Sequence, residues 1–233
     1  MLEVSNLVVD IAGSRILHGV SLSVAPGELV CLLGRNGAGK TTLLRTIMGY
    51  RPAAGGQVRF GGTDLARLPT HAIARAGLGF SPEESETFAD LSVAENLRLP
   101  TLTRRGDGRA RIEAALKVFP RLRGYLARGG GQLSGGERKM LSVARALVLD
   151  PKLLLLDEPF EGLSPLVIPD IAAGIAATRE QGRAILIAES NVHHVPEGVD
   201  RVAVIERGAI VFNGTLAEAL AEPTVANVIA TAA

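Results

Sequence analysis

The most informative part of the sequence is the stretch Gly34-Arg35-Asn36-Gly37-Ala38-Gly39-Lys40-Thr41. It fits the pattern G-x-x-x-x-G-K-[ST] and stands between an apolar run at residues 29–33 and a helical pattern. Glycines in such a loop let backbone N–H groups approach phosphate oxygens, and the following helix N-terminus adds a partial positive charge. Lys40 is predicted to contact the β and γ phosphates, and Thr41 to offer a hydroxyl to Mg²⁺. Together with Thr42, the stretch therefore predicts a nucleoside triphosphate site, because a simple strand-to-helix turn has no need of the Lys-Thr pair.

Outside this loop, strand patterns occur towards both ends of the chain and helical patterns in the middle. The run at residues 29–33 is continuously apolar, which is typical of a parallel strand buried on both faces. Other strands are predicted at residues 2–4, 7–9, 20–24, 58–60, 153–156, 184–188, 202–205 and 209–212, the last two joined as a hairpin through residues 206–208. Helices are predicted at residues 93–99, 109–118 and 137–149. The pattern predicts one α/β domain, whose core is formed by residues 1–84 and 150–233 and whose mostly helical lobe is formed by residues 85–149.

Composition excludes several classes of function. The formal net charge of +1 gives no overall electrostatic attraction to nucleic acid, so we expect no nucleic-acid partner. No apolar run approaches the roughly 20 residues that span a bilayer, and the first residues lack the pattern of a secretory signal. The single cysteine, Cys31, cannot form a disulfide within the chain and is predicted to be a small buried residue. We therefore expect a cytoplasmic protein.

A second motif follows the apolar strand predicted at residues 153–156, where the sequence continues Asp157-Glu158-Pro159. An acid at the end of a buried strand is the usual context of an aspartate that holds Mg²⁺, and this role falls to Asp157. Glu158 is then placed to polarise the attacking water as a general base. The alternative is that the acidic pair only ends the strand and caps the next segment, and the phosphate loop makes this the weaker interpretation.

The segment Leu133-Ser134-Gly135-Gly136-Glu137 supports two interpretations. Ser134 and Glu137 have the spacing of a capping box at the start of the helix. Two glycines in a first helical turn weaken the helix by about 1 kcal/mol each relative to alanine, so capping does not account for them. Bare backbone at a helix N-terminus is suited to approach a phosphate, whereas the capping box at Ser92 has no glycines.

The phosphate loop, the Ser-Gly-Gly-Glu segment and the Asp-Glu pair, in this order, resemble the ATP-binding subunits of ABC transporters. The resemblance implies a P-loop NTPase (RecA-like) α/β core with an antiparallel β subdomain and a mostly helical inserted lobe, and it implies ATP and Mg²⁺ as ligands. In that family two ATPase subunits pair head to tail, so Ser134, Gly135 and Gly136 are expected to contact the nucleotide of the partner. The second subunit is either a copy of this chain or a different ATPase. Transmembrane permease subunits are the other implied partners, which places the chain on the inner face of the cell membrane.

Further details resemble the F-type ATPase subunit of branched-chain amino-acid importers, which also depend on a periplasmic solute-binding protein. The most specific is Ser81-Pro82-Glu83, where most ABC proteins have glutamine in place of the glutamate. By this resemblance Glu83 senses Mg²⁺ and the γ-phosphate and relays their presence to the permease. The alternative is an ordinary loop glutamate in solvent.

Three positions depart from the family pattern. Ile11 stands where many relatives stack an aromatic ring on the adenine, and it offers apolar contact without stacking. Ser190 stands where relatives usually have a histidine that contacts the γ-phosphate, while His193 and His194 are out of register for that role. Ser164 replaces an aspartate that contacts the partner chain in many relatives.

These patterns predict an ATP-hydrolysing subunit that powers import of a small solute, most specifically a branched-chain amino acid. Because serine cannot carry the charge of histidine, a nucleotide-binding regulatory subunit with weak catalysis is the main alternative. Importers of urea or amides use similar ATPases and stay open. An ABC ATPase that acts on nucleic acid or ribosomes is disfavoured by the near-neutral charge.

Overall fold

A mainly parallel sheet forms around residues 29–33, because a strand that is apolar on both faces has to be covered on both sides. In the computed structural model, which describes residues 1–103 and 106–230, these residues form β3 (Leu29–Leu33), and all five side chains are buried. The other strands of this sheet are β6 (Leu78–Ser81), β7 (Leu153–Asp157), β8 (Ala184–Glu189), β9 (Arg201–Glu206) and β10 (Ala209–Gly214). In the order β10-β9-β3-β8-β7-β6, all neighbours are parallel except β9 and β10, which form the predicted hairpin.

A smaller antiparallel sheet has the order β2-β1-β4-β5. Its strands are β1 (Leu2–Ile11), β2 (Ser14–Val24), β4 (Gly55–Phe60) and β5 (Thr63–Asp64). The prediction of two separate strands at residues 2–4 and 7–9 was wrong, because β1 is continuous through both. The register with β2 shifts between Val4 and Leu7, and Asn6 in this interval has a φ of 47°. Asparagine tolerates this left-handed conformation, so the irregularity bends the strand without ending it.

Eight α-helices occur within the described residues. They are α1 (Lys40–Ile47), α2 (Thr70–Ala76), α3 (Val93–Arg98), α4 (Gly108–Val118), α5 (Gly135–Val148), α6 (Ile168–Glu180), α7 (Leu216–Ala221) and α8 (Pro223–Ala230). The helices predicted at residues 93–99, 109–118 and 137–149 are confirmed as α3, α4 and α5, with ends that differ by at most two residues. The strand β6 was missed, because it has four residues including Gly79 and only its pairing with β7 distinguishes it from a loop.

The side chains of the central sheet alternate between two apolar clusters. Leu153 and Leu155 of β7 join the cluster formed with α1 and the antiparallel sheet, whereas Leu154 and Leu156 join the one formed with α5 and α6. This double burial accounts for the four consecutive leucines and fixes the carboxyl end of β7 between α1 and α5. Among the described residues, no helix is both long and apolar enough to cross a bilayer.

Candidate functional site

The phosphate loop connects the end of β3 to α1, as the sequence predicts. Gly39 is the N-cap of α1 and has a φ of 112°, a conformation that favours glycine. At Gly34 a Cβ atom would lie 2.4 Å from the carbonyl oxygen of Ile205, so the loop also needs glycine for space. No acidic residue occurs in the first turn of α1, which leaves its positive end available to an anion.

The turn between β9 and β10 contacts the phosphate loop through Gly208. The Gly208 N–H donates to the Ala38 carbonyl at 2.9 Å, and the Gly208 carbonyl accepts from the His18 N–H at 2.8 Å. A Cβ atom on Gly208 would lie 2.0 Å from the carbonyl oxygen of Ile16, and its φ is 77°. The sequence identified this turn but not its contact with the loop, because the residues concerned are about 170 positions apart.

Lys40 begins α1 and turns back into the loop. Its ammonium group donates to the carbonyl oxygens of Gly34 at 2.6 Å and Arg35 at 3.2 Å. It also lies 3.0 Å from Oε1 of Glu158 in a buried ion pair. The predicted lysine and the predicted general base are therefore brought into direct contact.

Asp157 and Thr41 meet at the carboxyl end of β7, where the Thr41 hydroxyl donates to Oδ1 of Asp157 at 3.2 Å. Burial raises the pKa of Asp157 to about 6, while the hydrogen bond from Thr41 acts in the opposite direction. The other carboxylate oxygen, Oδ2, is buried without a hydrogen-bond partner in the structure. An unpartnered buried carboxylate oxygen beside a hydroxyl is a donor set that suits Mg²⁺, which prefers oxygen ligands.

Protein carboxylates do not enclose a metal ion by themselves here. Among the described residues, no group of three or more histidine, cysteine, aspartate or glutamate side chains could hold one. This agrees with the chemistry of Mg²⁺ at nucleotide sites, where one or two protein ligands are completed by phosphate oxygens and water.

Glu158 is held from two sides. Its Oε1 contacts Lys40, and its Oε2 accepts from the backbone N–H of Ser190 at 3.0 Å and from the Ser190 hydroxyl at 3.1 Å. The φ of Glu158 is 46°, which is uncommon for a residue with a side chain and is often found at functional sites. Ser190 thus contacts the candidate base, a relationship that the sequence did not reveal.

Glu189 and His194 contact each other close to Glu158. Glu189 is fully buried; its Oε1 accepts from the Phe160 N–H at 3.2 Å, and its Oε2 lies 3.2 Å from Nδ1 of His194. Burial, followed by the negative charge of Glu158, raises the pKa of Glu189 well above its usual range. Neither residue was predicted to have a role. The available signal was an acid at the end of a buried strand, as for Asp157.

A cleft of about 430 Å³ lies in front of the loop. It is lined by Ile11, Ile16, Asn36, Gly37, Gly39, Lys40, Thr41, Thr42, Glu83 and Glu158. The structure therefore brings the loop together with Ile11, Glu83 and Glu158, and it adds Ile16, which the sequence analysis missed. Ser134, Gly135 and Gly136 do not line this cleft.

The capping box at the start of α5 is confirmed. The Ser134 N–H donates to a Glu137 carboxylate oxygen at 2.8 Å, and the Glu137 N–H donates to the Ser134 hydroxyl at 3.3 Å. The two glycines differ in a way that the sequence did not show. A Cβ atom on Gly136 would lie 2.7 Å from the Val167 side chain, whereas one on Gly135 would meet no atom within 4 Å. Packing inside the chain therefore explains Gly136 and does not explain Gly135.

A buried lysine, Lys139, was also missed. Only 3% of it is exposed, and its ammonium group donates to the carbonyl oxygens of Glu83 and Pro82 beside the cleft. Burial lowers its pKa, while the carboxylate of Asp157 acts in the opposite direction.

A glycine loop between a parallel strand and a helix, with a lysine beside a carboxylate pair, defines a P-loop nucleotide-binding protein. The family model described as ABC transporter matches residues 17–161. The chain belongs to the ABC transporter family, and it is one of the ATP-binding cassettes, the ATPases that power transport in this family.

Individual relatives cover most of the chain. It is 41% identical over 210 residues to the high-affinity branched-chain amino acid transport ATP-binding protein BraG of Pseudomonas aeruginosa. The alignment covers 90% of this chain and 90% of BraG. It is 38% identical over 234 residues to the lipopolysaccharide export system ATP-binding protein LptB of Escherichia coli, which covers 97% of this chain and 95% of LptB. An ATP-binding cassette of an ABC transporter in its ADP conformation superposes with a TM-score of 0.85 at 26% identity, over 98% of this chain and 97% of that one.

Proposed function

We propose that this chain is the ATP-hydrolysing subunit of an ABC importer for branched-chain amino acids. The observation that carries the proposal is the 41% identity to BraG over 90% of both chains. A probable branched-chain amino acid transport ATP-binding protein, LivF of Archaeoglobus fulgidus, adds support at 38% identity over 88% of each chain. The glutamate at position 83, which is typical of this branch, lines the cleft beside the phosphate loop.

In the proposed site the loop residues at positions 34–42 bind the phosphates of ATP. Ile11 contacts the adenine through its apolar surface. Thr41, Asp157 and Glu83 provide oxygen ligands for Mg²⁺, which when bound neutralises phosphate charge and lowers the barrier to phosphoryl transfer. Lys40 contacts the β and γ phosphates, for which its three donors and its charge are suited.

Glu158 orients the attacking water and accepts its proton. Its buried position between Lys40 and Ser190 fixes the carboxylate in one place, which is what a general base requires. Because phosphate oxygens compete with Glu158 for the ammonium group of Lys40, binding of ATP weakens the ion pair and frees one carboxylate oxygen for water. Ser190 retains the other oxygen during this exchange.

The complete site needs a second ATPase subunit. We propose that Ser134, Gly135 and Gly136 contact the nucleotide bound by that subunit, since they lie away from the cleft of their own chain and Gly135 has open space before it. The lobe at residues 85–149 docks the transmembrane permease subunits, so that the chain lies at the inner face of the membrane. A periplasmic solute-binding protein supplies the amino acid from the other side.

Reconstitution in proteoliposomes tests this proposal. The chain is combined with permease subunits, a second ATPase and a solute-binding protein from the same organism, and uptake of labelled leucine is measured with ATP inside. We expect ATP-dependent uptake that urea and amides do not inhibit. Uptake or competition by urea or an amide, with no effect of leucine, would assign the importer to that other substrate class.

Lipopolysaccharide export is the second candidate function, and the match to LptB over 97% of this chain is the observation that favours it. The two functions differ in the direction of transport. Extraction of lipopolysaccharide by vesicles that contain the chain and its permease, without uptake of leucine, would establish export and contradict the import proposal.

A further inference from the structure

Lys139 lies in the second turn of α5, five residues after Ser134, and its ammonium group is directed away from solvent. Nζ donates to the carbonyl oxygens of Glu83 at 2.7 Å and Pro82 at 3.3 Å, and it reaches that of Asp157 at 3.5 Å. The first two carbonyls belong to the loop after β6, and the third ends β7. One side chain therefore connects α5 to two of the three segments that carry the proposed Mg²⁺ ligands.

The chemistry of this contact is unusual for a packing residue. A buried ammonium group is costly unless its donors are satisfied, and lysine has three donors. Here three backbone carbonyls accept them. A methionine or leucine would fill a similar volume without the desolvation cost. The hydrogen bonds to these three carbonyls therefore account for a lysine at this position.

A second contact joins α5 to the strand β6. The hydroxyl groups of Ser142 and Ser81 lie 2.8 Å apart, and both residues are buried. Ser142 follows Lys139 by three residues, so the two side chains lie on one face of α5. Along α5, the residues from Lys139 to Val148 are buried except for the half-buried Arg145, so the helix is packed against its neighbours over most of its length.

We propose that Lys139 is a positioning residue that couples the nucleotide site of this chain to the segment Ser134-Gly135-Gly136. A change at Glu83 or Asp157 on binding of Mg-ATP moves the carbonyls that Lys139 holds, and α5 carries that movement to its N-terminus, about 8 Å away along the helix axis. That N-terminus faces the nucleotide of the second subunit, so each site senses the occupancy of the other. The inference rests on the proposed function, because it requires a site shared between two ATPase subunits.

The test compares Lys139→Met, which removes the donors at similar volume, with Lys139→Arg, which keeps a cation with several N–H donors. Lys152→Met is the matched control, since Lys152 is an exposed lysine that directly precedes β7 and lies outside the lobe proposed to dock the permease. For each protein, the affinity for a fluorescent ATP analogue is measured on the isolated chain. The kcat and the Hill coefficient for ATP are measured in the reconstituted transporter.

We expect Lys139→Met to lower kcat by about tenfold or more and to bring the Hill coefficient to about 1. Analogue affinity of the isolated chain should stay within about threefold of the wild type. Lys139→Arg should restore part of kcat and of the Hill coefficient, and Lys152→Met should match the wild type. If Lys139→Met does not fold, Lys139→Gln replaces it, because its amide can donate to two carbonyls. We then expect smaller decreases of kcat and of the Hill coefficient.

Three results would overturn the inference while leaving the proposed function intact. One is a wild-type Hill coefficient and kcat in Lys139→Met. Another is a loss of analogue affinity in proportion to kcat without rescue by arginine, which is the behaviour of a purely structural residue. The third is a wild-type transporter that takes up leucine with a Hill coefficient of 1. If the wild type does not transport leucine at all, the proposed function itself fails.

Discussion

The ammonium nitrogen of Lys40 lies 3.0 Å from Oε1 of Glu158, and each side chain is at most 5% exposed. A buried ion pair of this kind contributes little net stability, because the loss of hydration offsets much of the attraction. The ion pair matters because a second anion, the phosphate of a nucleotide, would compete with Glu158 for Lys40. In the proposed mechanism the phosphates of ATP and the carboxylate of Glu158 are alternative anions for Lys40, so ATP binding and the placement of the base are linked through the Lys40 ammonium group.

The first prediction concerns Glu158→Gln. The amide keeps the shape of the side chain and can still accept from Ser190, but it cannot take a proton from water. We expect steady-state hydrolysis to fall by about 10²- to 10⁴-fold, which is the range for loss of a general base, and an ATP-bound dimer to accumulate. Phosphate release and size-exclusion chromatography with ATP check this. Unchanged hydrolysis would remove Glu158 from the proposed mechanism.

The second prediction concerns Ser190, whose N–H and hydroxyl both donate to Glu158. Because the base is already held, we expect Ser190→His to change kcat by less than about tenfold when the chain is mixed with its second ATPase. Ser190→Ala is the control that removes only the hydroxyl, and it should cost about 1 kcal/mol, or roughly fivefold in kcat. A much larger gain with histidine would support the alternative of a regulatory subunit with weak catalysis.

The third prediction separates the two glycines of α5. Gly136→Ala should lower stability by about 1–3 kcal/mol, less a partial gain in helix propensity, because its Cβ would collide with Val167. Gly135→Ala should keep or raise the melting temperature, since no atom lies within 4 Å of its Cβ. If Gly135 faces the partner's nucleotide, the same variant should weaken ATP-dependent dimerisation. Thermal melts and light scattering with ATP measure both effects, and normal dimerisation of Gly135→Ala would contradict the shared site.

The fourth prediction follows from the raised pKa of Glu189. The folded chain keeps a proton that the unfolded chain releases above its ordinary pKa of 4.5, so the stability contributed by this group falls as the pH rises towards the folded pKa. Glu189→Gln keeps the neutral shape and has no proton to lose. We expect it to be more stable than the wild type at about pH 9, with a smaller difference at about pH 5. Chemical unfolding at the two pH values measures this. An equal change in the free energy of unfolding of the two proteins between these pH values would show that Glu189 is ionised in the folded chain.

Much of the fold was predictable, because its main signals are local. Five consecutive apolar residues before the glycine loop, four leucines before Asp157, and a capping box at Ser134 each determine an element within a few residues. The missed strand β6 and the wrongly divided strand β1 lack such a signal. The strand β6 exists through its pairing with β7, and the continuity of β1 depends on its register with β2.

Local patterns in the sequence predict the residues proposed to bind phosphate and metal and the elements that carry them, since glycine conformation, helix capping and apolar periodicity act over short distances. The tertiary structure establishes which other residues these side chains contact. It joined Lys40 to Glu158 and Glu158 to Ser190, it placed Lys139 on three carbonyls of two other segments, and it distinguished Gly135 from Gly136. Those contacts depend on how the sheet and α5 pack together, and packing brings together residues that no local pattern relates.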